Sequence, residues 1–118
     1  MRLMRRKHFC AAHRLDRLPP DHKCYRLHGH NYTVQIEVEG EPAKATGFVV
    51  DFAVIDTVWD TVIAPMLDHQ YLNDVEGLEV PSAENIAVWL YRMIGLALPR
   101  LSAIEVWETP NGGARYEG

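Results

Sequence analysis

The chain contains no apolar run approaching the roughly 18–20 residues of a membrane span, and no apolar stretch of signal-peptide length follows the charged start MRLMRRKHF. A cytoplasmic location is the expectation. There are only two cysteines, Cys10 and Cys24. A reducing compartment excludes a disulfide framework built on them, so each is read alone. Internal repeats, low-complexity tracts and linkers are absent too. One domain over residues 1–118 is expected, long enough to build its own core.

The net charge of −4 conceals an asymmetry. Residues 1–26 hold eight of the twelve Lys and Arg against Asp16 and Asp21, so they carry +6 and the remainder −10. Cross-strand pairing of Arg5 and Lys7 with Glu37 and Glu39 accounts for the first basic residues. Arg14, Arg17, Lys23 and Arg26 fall in a loop and are candidates for a small polyanion. The acidic whole, with no aromatic residues interleaved among the basic ones, argues against nucleic acid as partner.

Alternation predicts a first strand over 3–12 and a second over 30–39, with Tyr32, Val34, Ile36 and Val38 on one face. LPPDHK (18–23) is a loop and GEPAKATG (40–47) a turn. FVVD (48–51) reads as a short extended piece, and Asp51 caps the helix that follows. In that helix Phe52, Ile55, Trp59, Val62 and Met66 form the apolar stripe, with Asp56 and Asp60 away from it. Pro65 ends or kinks it, and LDHQYLND (67–74) is a loop. A second helix starts at the N-cap Ser82, with Glu84 in its first turn and Ile86, Leu90, Met93 and Ala97 inward. Two further strands follow around TPNGG. The order is β-β-α-α-β-β: an α+β antiparallel sheet with two helices on one face. Four strands leave two open edges, so a symmetric homo-oligomer is expected.

The chemistry concentrates in CYRLHGHN (24–31). His28 and His30 stand two apart and share a strand face with Tyr32. Buried imidazoles require partners, and a metal ion would satisfy both. Zinc commonly takes three protein ligands and keeps a fourth position open. His13, at the end of the first strand, is the third candidate. Cys24 is either a fourth ligand, closing the site, or a base beside the metal. Cys10 reads as a small buried apolar residue. Asp68-His69 is either a tautomer-setting pair or a solvated helix end. Glu108 falls on the apolar face with Ile104 and Val106, where a carboxylate marks a site unless the strand has already ended.

These pieces resemble the 6-pyruvoyltetrahydropterin synthase superfamily, and within it the 6-carboxytetrahydropterin synthase branch of queuosine and 7-deazapurine biosynthesis. The likeness lies in FCAAHRL (9–15), HKCYRLHGHNY (22–32), Asp51-Phe52, LDHQYLN (67–73), PSAEN (81–85) and ETPNGGARY (108–116). The resemblance implies the tunnelling fold, a barrel of joined sheets in a homohexamer of two trimers. It implies Zn2+ on His13, His28 and His30, and Cys24 as general base. It pairs His69 with Asp68 as the second proton-transfer group, makes Glu108 the pterin anchor and sets Ser82 near the pterin. The implied substrate is 7,8-dihydroneopterin triphosphate, a small-molecule pterin, and the products are 6-carboxytetrahydropterin, acetaldehyde and triphosphate. Pyruvoyl-type triphosphate elimination is the nearest alternative, and a non-catalytic zinc module the next. The three residues between Cys24 and His28 match the carboxytetrahydropterin type, since the pyruvoyl enzymes carry a longer insertion there.

Overall fold

A computed structural model describes all 118 residues. Strand β1 (Arg2–His13) runs antiparallel to β2 (His28–Glu39), in a register that sets His13 opposite His28. The chain then forms α1 (Phe52–Val58), a π turn (Trp59–Ile63) and a last α turn, α2 (Ala64–Leu67). After β3 (Gln70–Tyr71) come α3 (Ala83–Gly95), β4 (Leu101–Thr109) and β5 (Gly112–Tyr116). The sheet order is β3-β1-β2-β4-β5, with the helices on one face. No helix is long and apolar enough to cross a membrane.

The α+β order stands, with one addition. The sheet has five strands and is mixed, because β3 pairs parallel to Ala11 and Ala12 of β1. Two residues are too few for a period-2 signature, so the sequence carries no sign of this strand. Residues 48–51 join no strand. Asp51 caps α1 as expected, accepting from the Ala53 N–H at 2.9 Å. Ser82 does the same for α3 through the Asn85 N–H at 3.2 Å.

The first helix differs more. Its buried residues are Ile55, Trp59, Ile63 and Leu67, whereas Phe52 and Met66 are exposed and Val62 is half-buried. An α-helix turns about every 3.6 residues, so successive steps of four drift off one face. The wider π turn absorbs that drift and keeps all four inward. It also accommodates Pro65, which has no N–H to donate. The Ala64 N–H reaches back five residues to the Trp59 carbonyl, and the helix continues through the proline to Leu67.

Odd positions of β1 face the helices. Arg5 and Lys7 therefore do not pair with Glu37 and Glu39. Both reach Asp56 on α1, Arg5 through two bonds of 2.9 and 2.7 Å and Lys7 at 2.9 Å. The Arg5 and Lys7 hydrogen bonds hold the Asp56 carboxyl down at about 2. Glu37, on the opposite face and only 3% exposed, is held instead by Arg115 of β5 and by Gln35. Cys10 shares that opposite face. It is exposed rather than buried, and its thiol donates to Asn31 Oδ1 at 2.6 Å.

Candidate active site

Three strand positions converge at the end of the sheet. His13 closes β1, and His28 and His30 open β2 on its helix-facing side. Their ring centroids lie 4.5 to 5.1 Å apart, and their ligand nitrogens all fall within 4.8 Å of one another. Gly29 between them sits in a crowded place, since a Cβ there would stand 3.1 Å from the Ala11 carbonyl oxygen, closer than ordinary contact.

Backbone carbonyls fix two of the tautomers. His13 Nδ1 donates to the Pro81 carbonyl at 2.7 Å, and His28 Nδ1 to the Arg26 carbonyl at 2.7 Å. That leaves Nε2 as the acceptor on each ring. His13 is 1% exposed. Burial pushes its imidazole below the usual histidine range, against the opposing pull of the Pro81 carbonyl. The Nε2 atoms of His13 and His30 are buried and have no hydrogen-bond partner. Two unpaired buried nitrogens, with His28 Nε2 free of the carbonyl bond beside them, form a donor set that could hold a transition metal, and the carbonyls behind His13 and His28 would orient it. The residues present fit a zinc ion.

Glu108 belongs to this cluster. Its Oε2 lies 3.9 Å from His30 Nε2, so the face rule holds to the end of β4. Tyr32, fully buried and stacked on Phe9 at 4.6 Å, brings its hydroxyl within 3.3 Å of His13 Nδ1. Burial, and then the Glu108 charge, push the Tyr32 hydroxyl above its usual range. Alternation alone could have nominated Tyr32. The Pro81 and Arg26 carbonyls could not have been found that way, because a backbone group carries no letter.

Cys24 lies in a 3-10 turn, Lys23–Tyr25, that contains no buried residue. The cluster of metal-ligand atoms does not include its thiol. His22 caps this turn, its Nδ1 accepting the Cys24 N–H at 3.1 Å. Asp68 and His69 form a separate pair, Nδ1 to Oδ1 at 3.1 Å. His69 takes a left-handed backbone, φ 59°, unusual for a side-chain-bearing residue. Cys10 braces it: the Cys10 carbonyl accepts the His69 N–H at 2.6 Å, and the Cys10 N–H donates to Asp68 at 3.0 Å. The Cys10 N–H, more than His69, holds the Asp68 carboxyl below the usual range. His69 borders a cleft of about 550 Å³ with Cys10, Gly29, His30 and Asn31. Cys10 and Asn31 face away from the histidine triad. One chain thus unites His13, His28, His30 and Glu108, but joins neither Cys24 nor the Asp68–His69 pair to them by a hydrogen bond. Ser82 is half-buried and occupied as the cap of α3.

A model of the 6-pyruvoyl tetrahydropterin synthase family matches residues 2–118. A 6-carboxy-5,6,7,8-tetrahydropterin synthase of Synechocystis sp. is 42% identical over 115 residues, covering 92% of this chain and 86% of the relative. A 6-pyruvoyl tetrahydrobiopterin synthase of Drosophila melanogaster is 37% identical, covering 98% and 79%. The solved structure of the Caenorhabditis elegans 6-pyruvoyl tetrahydropterin synthase superposes with a TM-score of 0.91 at 28% identity, covering 100% of this chain and 95% of the other.

Proposed function

The chain belongs to the 6-pyruvoyl tetrahydropterin synthase family, and from that premise we propose that it is a zinc-dependent lyase of the 6-carboxytetrahydropterin synthase type. Its substrate is 7,8-dihydroneopterin triphosphate. With one water, this yields 6-carboxytetrahydropterin, acetaldehyde and triphosphate, and the pterin ring is reduced by internal proton rearrangement without a redox cofactor. The observation that carries the reading is the pair of orphaned Nε2 atoms on His13 and His30, with Glu108 beside them.

His13, His28 and His30 hold the metal. Bound there, zinc supplies Lewis acidity toward the hydroxyls of the substrate side chain. Glu108 anchors the pterin by accepting two ring N–H donors, which fixes the side chain over the triad. The Cys24 thiolate removes a side-chain proton from one side. His69 transfers a proton on the other, its tautomer set by Asp68. Lys23 and Arg26, both exposed, neutralise the triphosphate. Ser82 lies at the pterin's edge. That no hydrogen bond joins Asp68–His69 to the triad within one chain supports a site completed between subunits, in a cytoplasmic homohexamer of two trimers.

The pyruvoyl-type reaction, triphosphate loss without carbon–carbon cleavage, is the second reading, favoured by the 37% identity to the Drosophila enzyme. A closed, non-catalytic zinc module is disfavoured, since the ligand cluster holds three histidines and not Cys24. Mass spectrometry of products from zinc-loaded protein and its Cys24→Ala variant separates the three. Acetaldehyde and 6-carboxytetrahydropterin are expected from the wild type and neither from the variant, with zinc retained in both. A pyruvoyl product would change the reaction. Loss of zinc in the variant would make Cys24 a ligand and sink its role as base.

A further inference from the structure

Arg14 links the end of β1 to the two segments that carry the proposed proton-transfer groups. It directly follows the metal ligand His13. Its backbone N–H donates to Asn73 Oδ1 at 3.0 Å, and its carbonyl accepts from Asn73 Nδ2 at 2.8 Å. This two-point clamp continues the β1–β3 pairing into the chain leaving His69. On the other side, Arg14 Nε donates to the Tyr25 carbonyl at 3.2 Å, and the guanidinium lies 4.6 Å over the Tyr25 ring. Tyr25 adjoins Cys24. The Leu15 N–H then donates to the Cys24 carbonyl at 2.8 Å.

The turn bearing Cys24 buries no side chain, so apolar packing does not fix it. Its cap, His22, lies within the same loop and moves with it. Its C-cap, Arg26, is held to β2 by the His28 bond, and what ties Cys24 and Tyr25 themselves to the end of β1 is the Leu15 bond and the Arg14–Tyr25 contact. We infer that Arg14 is a positioning residue, which holds the Cys24 turn against the end of β1, and not a phosphate-binding cation. The inference rests on the reading of Cys24 as the base.

The bond to Tyr25 leaves from Nε, not from the tip of the side chain. Glutamine carries an amide nitrogen at that same position along its side chain and no charge, whereas lysine carries the charge and has a methylene there. Arg14→Gln and Arg14→Lys therefore separate the two roles. Three readouts apply to zinc-loaded protein: kcat and KM with 7,8-dihydroneopterin triphosphate, zinc content, and the rate of iodoacetamide alkylation at Cys24, resolved from Cys10 by peptide mass. We expect Arg14→Lys to lose on the order of 10- to 100-fold in kcat with KM little changed, because small displacements of a reacting group cost that much. Its Cys24 alkylation rate should depart from wild type while zinc stays bound. Arg14→Gln should retain kcat within about fivefold and the wild-type alkylation rate, the bond at Nε being kept.

Wild-type behaviour of Arg14→Lys, with KM raised about tenfold or more in Arg14→Gln, would make Arg14 a phosphate ligand and overturn the inference. Wild-type kcat in both variants would overturn it as well. Should Arg14→Lys fail to fold, Arg14→Met, whose side chain has the same length to that position and no nitrogen there, takes its place, and the inference then requires a fall in kcat with KM little changed and an altered alkylation rate. The Cys24→Ala variant keeps the two failures apart. Full turnover in it removes the role of Cys24 as base and leaves the alkylation comparison standing. A dead Cys24→Ala beside a fully active Arg14→Lys removes the role of Arg14 alone.

Discussion

At His13, the ring is sealed from solvent, one nitrogen is spent on the Pro81 carbonyl, and the other faces its two sister histidines with nothing to bond. A buried acceptor left unpaired costs about 1–3 kcal/mol, so the metal-free protein carries a penalty that an ion would remove. Added zinc should therefore raise the thermal midpoint by several degrees, since ligand at about 100 times its Kd contributes about 2.7 kcal/mol. His13→Ala should abolish that rise, and a chelator should reverse it in the wild type; scanning fluorimetry reads all three. The triad was legible because two simple rules, period two along a strand and antiparallel return across a loop, govern these positions. Glu108 was legible by the same parity. Cys10 was misread by ignoring it: Phe9, Ala11 and His13 take the inner face, so position 10 must face outward.

Along the first long helix, pattern reading failed at the exposed Phe52 of the first turn and again past Trp59. Up to Trp59 the expected stripe and the buried face agree at Ile55 and Trp59. Beyond it the π turn advances the face by one residue, from Val62 to Ile63 and from Met66 to Leu67. A stripe read at constant α-helical pitch cannot anticipate an inserted residue. The proline was the available sign, since a helix that keeps going past Pro65 must first reroute a hydrogen bond. Ile63→Ala should cost about 2–5 kcal/mol, the usual range for emptying a sealed aliphatic site. Met66→Ala, on the exposed side, should stay within about 0.5 kcal/mol, as surface changes do. Denaturant unfolding of the two variants decides between the faces, and equal losses would refute the rephased helix.

For the molecule as a whole, the sheet's borders matter most. β3 covers β1 only at Ala11 and Ala12, and with Cys10 bonded to Asp68 and His69 this leaves the strand's first eight residues unpaired on that side, while β5 forms the opposite border. The direction of the free groups follows from Cys10, whose N–H and carbonyl point away from β2 toward Asp68 and His69. Backbone direction alternates along a strand. Met4, Arg6 and His8 therefore aim their N–H groups outward, while Arg5 and Lys7 spend theirs on β2. Long open edges of this kind are normally covered or paired, and β5 of a second copy can cover this one by continuing the sheet. Proline distinguishes an assembly edge from an ordinary one, because it deletes a single N–H and is tolerated only where no ladder bond is needed. His8→Pro should leave the subunit folded while sedimentation shifts from a multiple of the single-chain mass toward the single chain. On the proposed function it should lose turnover as well, since that reading takes the Asp68–His69 pair from a neighbouring copy. Lys7→Pro, one residue away, should instead break the β1–β2 ladder and unfold the subunit. A folded, fully assembled and active His8→Pro protein would mean that copies do not join through this edge.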